Sequence, residues 1–280
     1  MSIYIKAGSA ITYLQSILND NTNAYQRNME QLSSGNKYTK VGENPINVCE
    51  SVKLQVKIDS NNQASDNVSV GQGMLSMTEG YHNTIMSNIQ RIRDLSQQAA
   101  SGTYSSDNID AILSEIKGRL EYINKISSSA SFDGVGLLDG SSSSIFLQIG
   151  SITDATMDVG DALVNTHTDA LGIDLPPTAT GATWDEAQAR AYLDSLDDAS
   201  QALLDADAKI GGYLNRLDAA SQSLSKMNDN LTENKSIITD TDVAAATAEM
   251  VKNQILQEAS ASVLMQANQV SSWALQLLGK

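Results

Sequence analysis

The chain has 280 residues, a net charge of -15 and an apolar content of 41%, yet only 5% of its side chains are aromatic. An acidic chain with no basic stripe cannot displace the counterions of nucleic acid. With one cysteine, Cys49, it can form no internal disulfide and no cysteine-based zinc site. A core built from Leu, Ile, Val, Met and Ala, with only three prolines in the chain, suits helix-on-helix packing. The charge is concentrated in the middle. Fourteen acidic residues against Arg190 alone lie between Asp133 and Asp207, the pattern of a solvated face that keeps assemblies soluble.

The first predicted helix runs from about Ser9 to Leu32, with Ile11, Leu14, Leu18, Tyr25, Met29 and Leu32 on one stripe and Ser33-Ser34-Gly35 as the stop. A loop leads to Pro45, where a very long second helix begins at a position that tolerates proline. Val48, Val52 and Val56 are apolar there. Asp59 to Asn67 is polar, hence exposed or set against polar neighbours. Past Gly71 and Gly73 the stripe continues as Met74, Met77, Tyr81, Ile85, Ile89, Ile92, Leu95 and Ala99, the best coiled-coil pattern in the chain. Gly102 breaks it. Ser106 or Asp107 then caps a third helix whose inward residues are Ile109, Ile112, Ile116, Leu120, Ile123 and Ile126.

Beyond this the period changes from helical to extended. Asp133-Gly134 and Asp139-Gly140 are turn signals, and Ile145, Leu147 and Ile149 alternate, so residues 131–160 are read as a small β-hairpin region. Leu175-Pro176-Pro177 to Gly181 is a linker. From Trp184 the helical stripe returns through Tyr192, Leu196, Ala199, Leu203, Ile210, Leu214, Leu217, Leu224 and Leu231. Asp240 or Thr241 then caps a terminal helix. Its stripe reads Leu256, Ala259, Val263, Ala267, Val270, Ala274 and Leu277 or Leu278.

The fold class that follows is mainly α: a long antiparallel bundle or coiled coil formed by the N- and C-terminal halves, with a small β-hairpin region between them. The expected divisions are 1–40, 41–175, 176–183, 184–238 and 239–280. First and last helices are expected to pair, with the middle of the chain at the far end. A single seam of small residues does not offset the entropy of ordering both ends, so they are expected to become rigid only when neighbouring copies surround them. The terminal helix is uncharged from Ala259 to Gly279, but too rich in Ser, Gln and Asn to span a membrane. The opening residues carry no cleavable secretory signal.

Little in the chain supports chemistry. His82 and His167 have no second histidine at helical spacing and are read as ordinary surface or interface residues. Gly71-Gln72-Gly73 lacks the third glycine of a dinucleotide fingerprint and lies in a helical pattern. Asp194, Asp197 and Asp198 share a helix face whose default is solvation. No catalytic, metal or cofactor site is expected, and an enzyme is the least favoured class.

Several runs resemble bacterial flagellin in order along nearly the whole chain. They are Leu32-Ser33-Ser34-Gly35, Gln90-Arg91-Ile92-Arg93-Asp94-Leu95, Phe132-Asp133-Gly134 with Leu137-Leu138-Asp139-Gly140, and Gln148-Ile149-Gly150. Asn215-Arg216-Leu217, Asp240-Thr241-Asp242 and Gln254-Ile255-Leu256-Gln257 through Val263 to Gln269 complete the set. The resemblance implies a flagellar filament subunit for swimming motility, extracellular and exported unfolded without a cleaved signal. Its partners would be other copies of itself, the hook-filament junction protein, the filament cap and an export chaperone. Polymerisation would rest on Ile11, Leu14, Leu18, Leu256, Val263, Leu264, Val270, Leu277 and Leu278. Arg91, Leu95, Gln98 and Glu115 match positions by which a host innate immune receptor sees the family. The linker at Pro176 falls where larger members insert outer domains. Asn44-Pro45-Ile46-Asn47 departs toward the hook-filament junction protein, which stands as the alternative, with a surface adhesin as the rival from another class.

Overall fold

A computed structural model describes residues 2–101, 103–142, 144–152, 154–174, 184 and 186–278, without the side chains of 2–10, 186 and 270–278. Gly102 and the linker at 176–183 lie outside the described residues. Five helices carry the fold: α1 (Ser2–Ser34), α2 (Pro45–Ala99), α3 (Ser106–Ser129), α4 (Glu186–Thr239) and α5 (Val243–Leu278). Between α3 and α4 lie two small antiparallel sheets, β1 (Ser131–Phe132) with β2 (Val135–Gly136), and β3 (Phe146–Gln148) with β4 (Thr156–Asp158). The mainly helical class with a hairpin region in the middle is what the periodicities imply. Helix α1 starts earlier than its pattern suggested, and α2 passes through Gly71 and Gly73 unbroken.

The chain forms two compact units, residues 59–229 and a unit made of 1–58 with 230–280. In the first, α2 and α4 run antiparallel. Asn62 bonds to Asn228, His82 to Asp207 and Arg93 to Asp197, so partner numbers fall along α4 as they rise along α2. Leu75, Ile85, Ile89 and Ile92 meet Leu196, Leu203 and Ile210 in one core. Each such side chain contributes about 1.5–3 kcal/mol on burial, which is why this stretch sustains helices much longer than propensity alone would hold. Helix α3 lies on α2 through Arg91–Glu115 and Arg119–Asn88, burying Ile112, Ile116, Leu120 and Ile123.

The β3–β4 sheet is held to α2 by one apolar and one polar contact. Asp133 and Gly134 both take positive φ in the β1–β2 turn, the conformation the Asp-Gly pair was expected to supply. Leu147 packs into the space left by Gly71, and Asn67 Nδ2 donates to the Gln148 carbonyl. A 3-10 turn at Gly160–Ala162 is held by Tyr213, whose hydroxyl donates to Asp161 at 2.5 Å, and by Lys209. The Asp161 hydrogen bond raises the Tyr213 phenol above its ordinary pKa. Tyr192 is raised by burial, and its hydroxyl donates to the Ile173 carbonyl.

Three expectations are corrected. Helix α3 does not take its cap from Ser106 or Asp107, Met77 leaves the core, and α5 is capped elsewhere. His82, expected at a surface or an interface, lies fully buried between α2 and α4 with Nδ1 2.6 Å from Asp207 Oδ1. Met77, expected on the core stripe, is exposed, because the inward face follows Leu75, Thr78 and His82. The cap of α5 is Asp242, whose Oδ1 accepts from the amides of Ala244 and Ala245. At α3 the flanking residue is Ser105, without a side-chain cap bond.

Candidate assembly interface

In the unit of the chain ends, α1 packs on α5. Asn21 Nδ2 donates to Ser260 Oγ at 3.4 Å, and Gln257 Nε2 donates to Thr22 Oγ1 at 3.1 Å. The covered residues of α5 are Ala246, Met250, Asn253, Gln257, Ser260, Ala261, Leu264 and Ala267, with Ser260 buried and the others partly covered. This seam mixes polar and apolar residues. Of the stripe expected to face α1, Ala267 lies in the seam, but Leu256 is 41% exposed and Val263 47%, and Ala259 is also exposed. Ile255 is exposed beside them and Met265 on the opposite flank of the helix. Ile11, Leu14, Leu18 and Leu264 are partly covered, so they belong to the seam. Helix α5 runs through Val270, Leu277 and Leu278, whose side chains lie outside the described residues.

Apolar spacing misled here for a physical reason. It marks a surface that must leave water, but not which neighbour removes it. Helix α1 presents Asn21 and Thr22 to α5, where Ser260 and Gln257 meet them. Ile255, Leu256 and Val263 of α5 are left exposed on the other face. Sequence reasoning missed the mixed seam because its positions share only the three-and-four spacing, not a common hydrophobicity.

Both terminal helices break at the same level. Gly35 takes φ +72°, a conformation that a side chain disfavours, and Asn36 pairs with Asp240 as a short antiparallel bridge. Lys37 N donates to the Thr239 carbonyl at 2.6 Å and Thr241 N to the Gly35 carbonyl at 2.9 Å. Around this crossing Lys40 bonds to Glu30 and holds its carboxyl below the usual range. The two chain ends are thus tied together by backbone where their helices are interrupted.

A separate surface on the other unit gathers Arg91, Gln98 and Glu115. Arg119 and then Arg91 hydrogen-bond to Glu115 and lower its pKa; the distances to its Oε1 are 3.0 and 3.3 Å. Arg91 and Gln98 are exposed. Leu95, expected beside them as a contact residue, is only 3% exposed and lies in the core beneath. Asp197, one of the three acids noted on α4, pairs with Arg93. Among the described residues no cluster of His, Cys, Asp and Glu is placed to hold a metal ion, and no helix is long and apolar enough to cross a membrane.

Long helices and an exposed apolar face on α5 are the features by which this fold can pack against other helices. Residues 8–143 match the family model for the bacterial flagellin N-terminal helical region, and residues 193–278 match that for the C-terminal helical region. The flagellar filament 30.7 kDa core protein of Treponema maltophilum is 32% identical over 95% of this chain and 96% of its own length. Flagellin of Bacillus subtilis is 31% identical over 93% and 95%. A solved structure from Vibrio parahaemolyticus, ascribed to a flagellar hook-associated protein, shares the fold at 17% identity with a TM-score of 0.61, covering 70% of this chain and 99% of its own. The chain belongs to the bacterial flagellin family, a family of structural proteins and not of enzymes. It is a structural subunit of the flagellar filament, outside the cell, and neither the junction-protein nor the adhesin alternative is favoured.

Proposed function

We propose that the outward face of α5, carrying Ile255, Leu256 and Val263, is the surface on which copies of this chain pack to form the filament. The observation that carries the reading is that Val251, Ile255, Leu256 and Val263 of α5 stay exposed in the single chain, while α1 covers a seam of mixed polarity that includes Met250, Asn253, Gln257, Ser260 and Leu264. In water that face is unfavourable, and burial against another copy removes the cost. On this reading residues 1–40 and 239–280 form the inner part of the filament, and 41–175 with 184–238 surround it. The ends gain their rigidity from neighbouring copies. The stretch 176–183 stands where larger relatives carry outer domains, and torque passes through packed helices.

By family resemblance the chain leaves the cell unfolded without a cleaved signal, guarded by an export chaperone. It adds at the tip beneath a cap and stacks on the hook-filament junction protein. Arg91, Gln98 and Glu115 form a surface for a host innate immune receptor, with Leu95 shaping it from beneath. Arg91→Ala lowers receptor signalling, and unchanged signalling removes that part of the reading. The main test is assembly of the purified chain followed by electron microscopy. Fibres from the native chain support the proposal. A chain that stays monomeric at high concentration, seeded with preformed filament, overturns it.

A further inference from the structure

Along α2 the residues at every seventh position from Asn61 onward, through Val68, Leu75, His82, Ile89 and Ser96, are buried. On α4 the same holds for Ala189, Leu196, Leu203, Ile210, Leu217 and Leu224. On a seven-residue repeat a slide of one step still sets Val68, Leu75 and Ile89 of α2 against apolar residues of the α4 repeat, so these apolar layers by themselves discriminate weakly between registers. Something must break the tie.

Some polar side chains in the seam cannot. Thr78 Oγ1 and Ser96 Oγ donate to carbonyls of Met74 and Ile92 on their own helix, and those bonds survive any slide. The Asn62–Asn228 and Arg93–Asp197 pairs also cross between the helices, but both are solvent-exposed contacts that water screens. His82 is different. Its ring is fully buried and its Nδ1 lies 2.6 Å from Asp207 Oδ1 across the seam. A carboxylate only accepts, so Nδ1 carries the hydrogen. Nε2 is buried without a hydrogen-bond partner among the described residues, which leaves Asp207 as the ring's polar anchor.

We propose that His82 and Asp207 are the register pin of the α2–α4 pair. Their bond lies on different helices and forms at one axial offset only. Sliding one repeat in one direction sets His82 against Leu214 and Asp207 against Ile89. Sliding the other way sets them against Ser200 and Leu75. Either slide takes a carboxylate from its donor and presses it on an aliphatic side chain, while the apolar layers remain satisfied. A polar pair in a heptad seam thereby sets register at some cost in stability. In a subunit loaded along its helices, a fixed register keeps the spacing of its contact surfaces constant.

The test separates register from stability and does not depend on filament formation. In a Cys49→Ser background, Arg93→Cys is combined with Asp197→Cys to trap the native register by oxidation. Combined instead with Leu204→Cys or Arg190→Cys, it traps a slide of one repeat in either direction. Adding His82→Leu with Asp207→Leu leaves thermal stability equal or higher, yet raises the yield of a slipped cross-link at least about fivefold, the scale of a lost preference of about 1 kcal/mol. His82→Gln, whose amide still donates to Asp207, keeps slipped cross-links at the native level. Slipped yields that stay at the native level in the double-leucine chain overturn the proposal, as does a rise with His82→Gln equal to that with His82→Leu.

Discussion

Leu256→Asp separates folding of the chain from its assembly. In the single chain Leu256 is 41% exposed on α5, so its replacement changes mainly helix propensity, about 0.5 kcal/mol. Covering the exposed part of a leucine is worth about 1 kcal/mol when full burial is worth about 1.5–3 kcal/mol. Placing an unpaired carboxylate in a dry interface adds about 3–5 kcal/mol. The sum, about 4 kcal/mol or more, raises the concentration needed for assembly about a thousandfold. Sedimentation of polymer against free chain measures that concentration, and a thermal melt of the free chain measures folding. The expected result is an unchanged main transition with no pelletable fibre. Assembly at the native concentration, or loss of the melting transition, refutes the reasoning.

Leu264→Asp strikes the α1–α5 seam instead and is expected to leave the main thermal transition in place while abolishing pelletable fibre; fibre at the native concentration counts against a role of that seam in assembly. A side chain built at Gly71 overlaps the end of Leu147, so Gly71→Val costs about 1–3 kcal/mol, read as faster exchange at Phe146–Gln148 with the α2–α4 core protected. Gly35→Val meets a left-handed backbone and costs about 1–2 kcal/mol, seen as loss of protection at the Thr241 amide. The Tyr192 and Tyr213 phenols are raised, the first by burial and the second by its bond to Asp161. A raised group contributes stability in full below the ordinary tyrosine range, and that contribution is lost as pH rises through the folded value. Ultraviolet titration of tyrosinate is therefore expected to show two late-titrating tyrosines, with unfolding at the alkaline end; Tyr213→Phe removes one of them.

Much of the fold was legible in residue order because helix and strand impose different periods. The runs through Ile85, Ile89 and Ile92 and through Leu196, Leu203 and Ile210 face a neighbour wherever the helices lie, and the Asp133-Gly134 turn needs only local chemistry. The assembly face was half legible. Leu256 and Val263 were singled out as apolar, but their direction depends on Asn21 and Thr22, more than two hundred residues away in sequence. That His82 lies at an interface and not on the surface was left open, because nothing beside it in the chain announces Asp207.

By itself, the order of residues determined helices, a hairpin region, an acidic middle and apolar stripes that had to leave water, since each follows from neighbours within a few turns. Only the tertiary structure decided which face of α5 stays uncovered, that the chain crosses itself at Asn36 and Asp240, and that a histidine and an aspartate meet inside a helical seam. These depend on pairings between distant segments. Hydrophobicity drives burial without direction, whereas a hydrogen bond exists only where donor and acceptor are brought together.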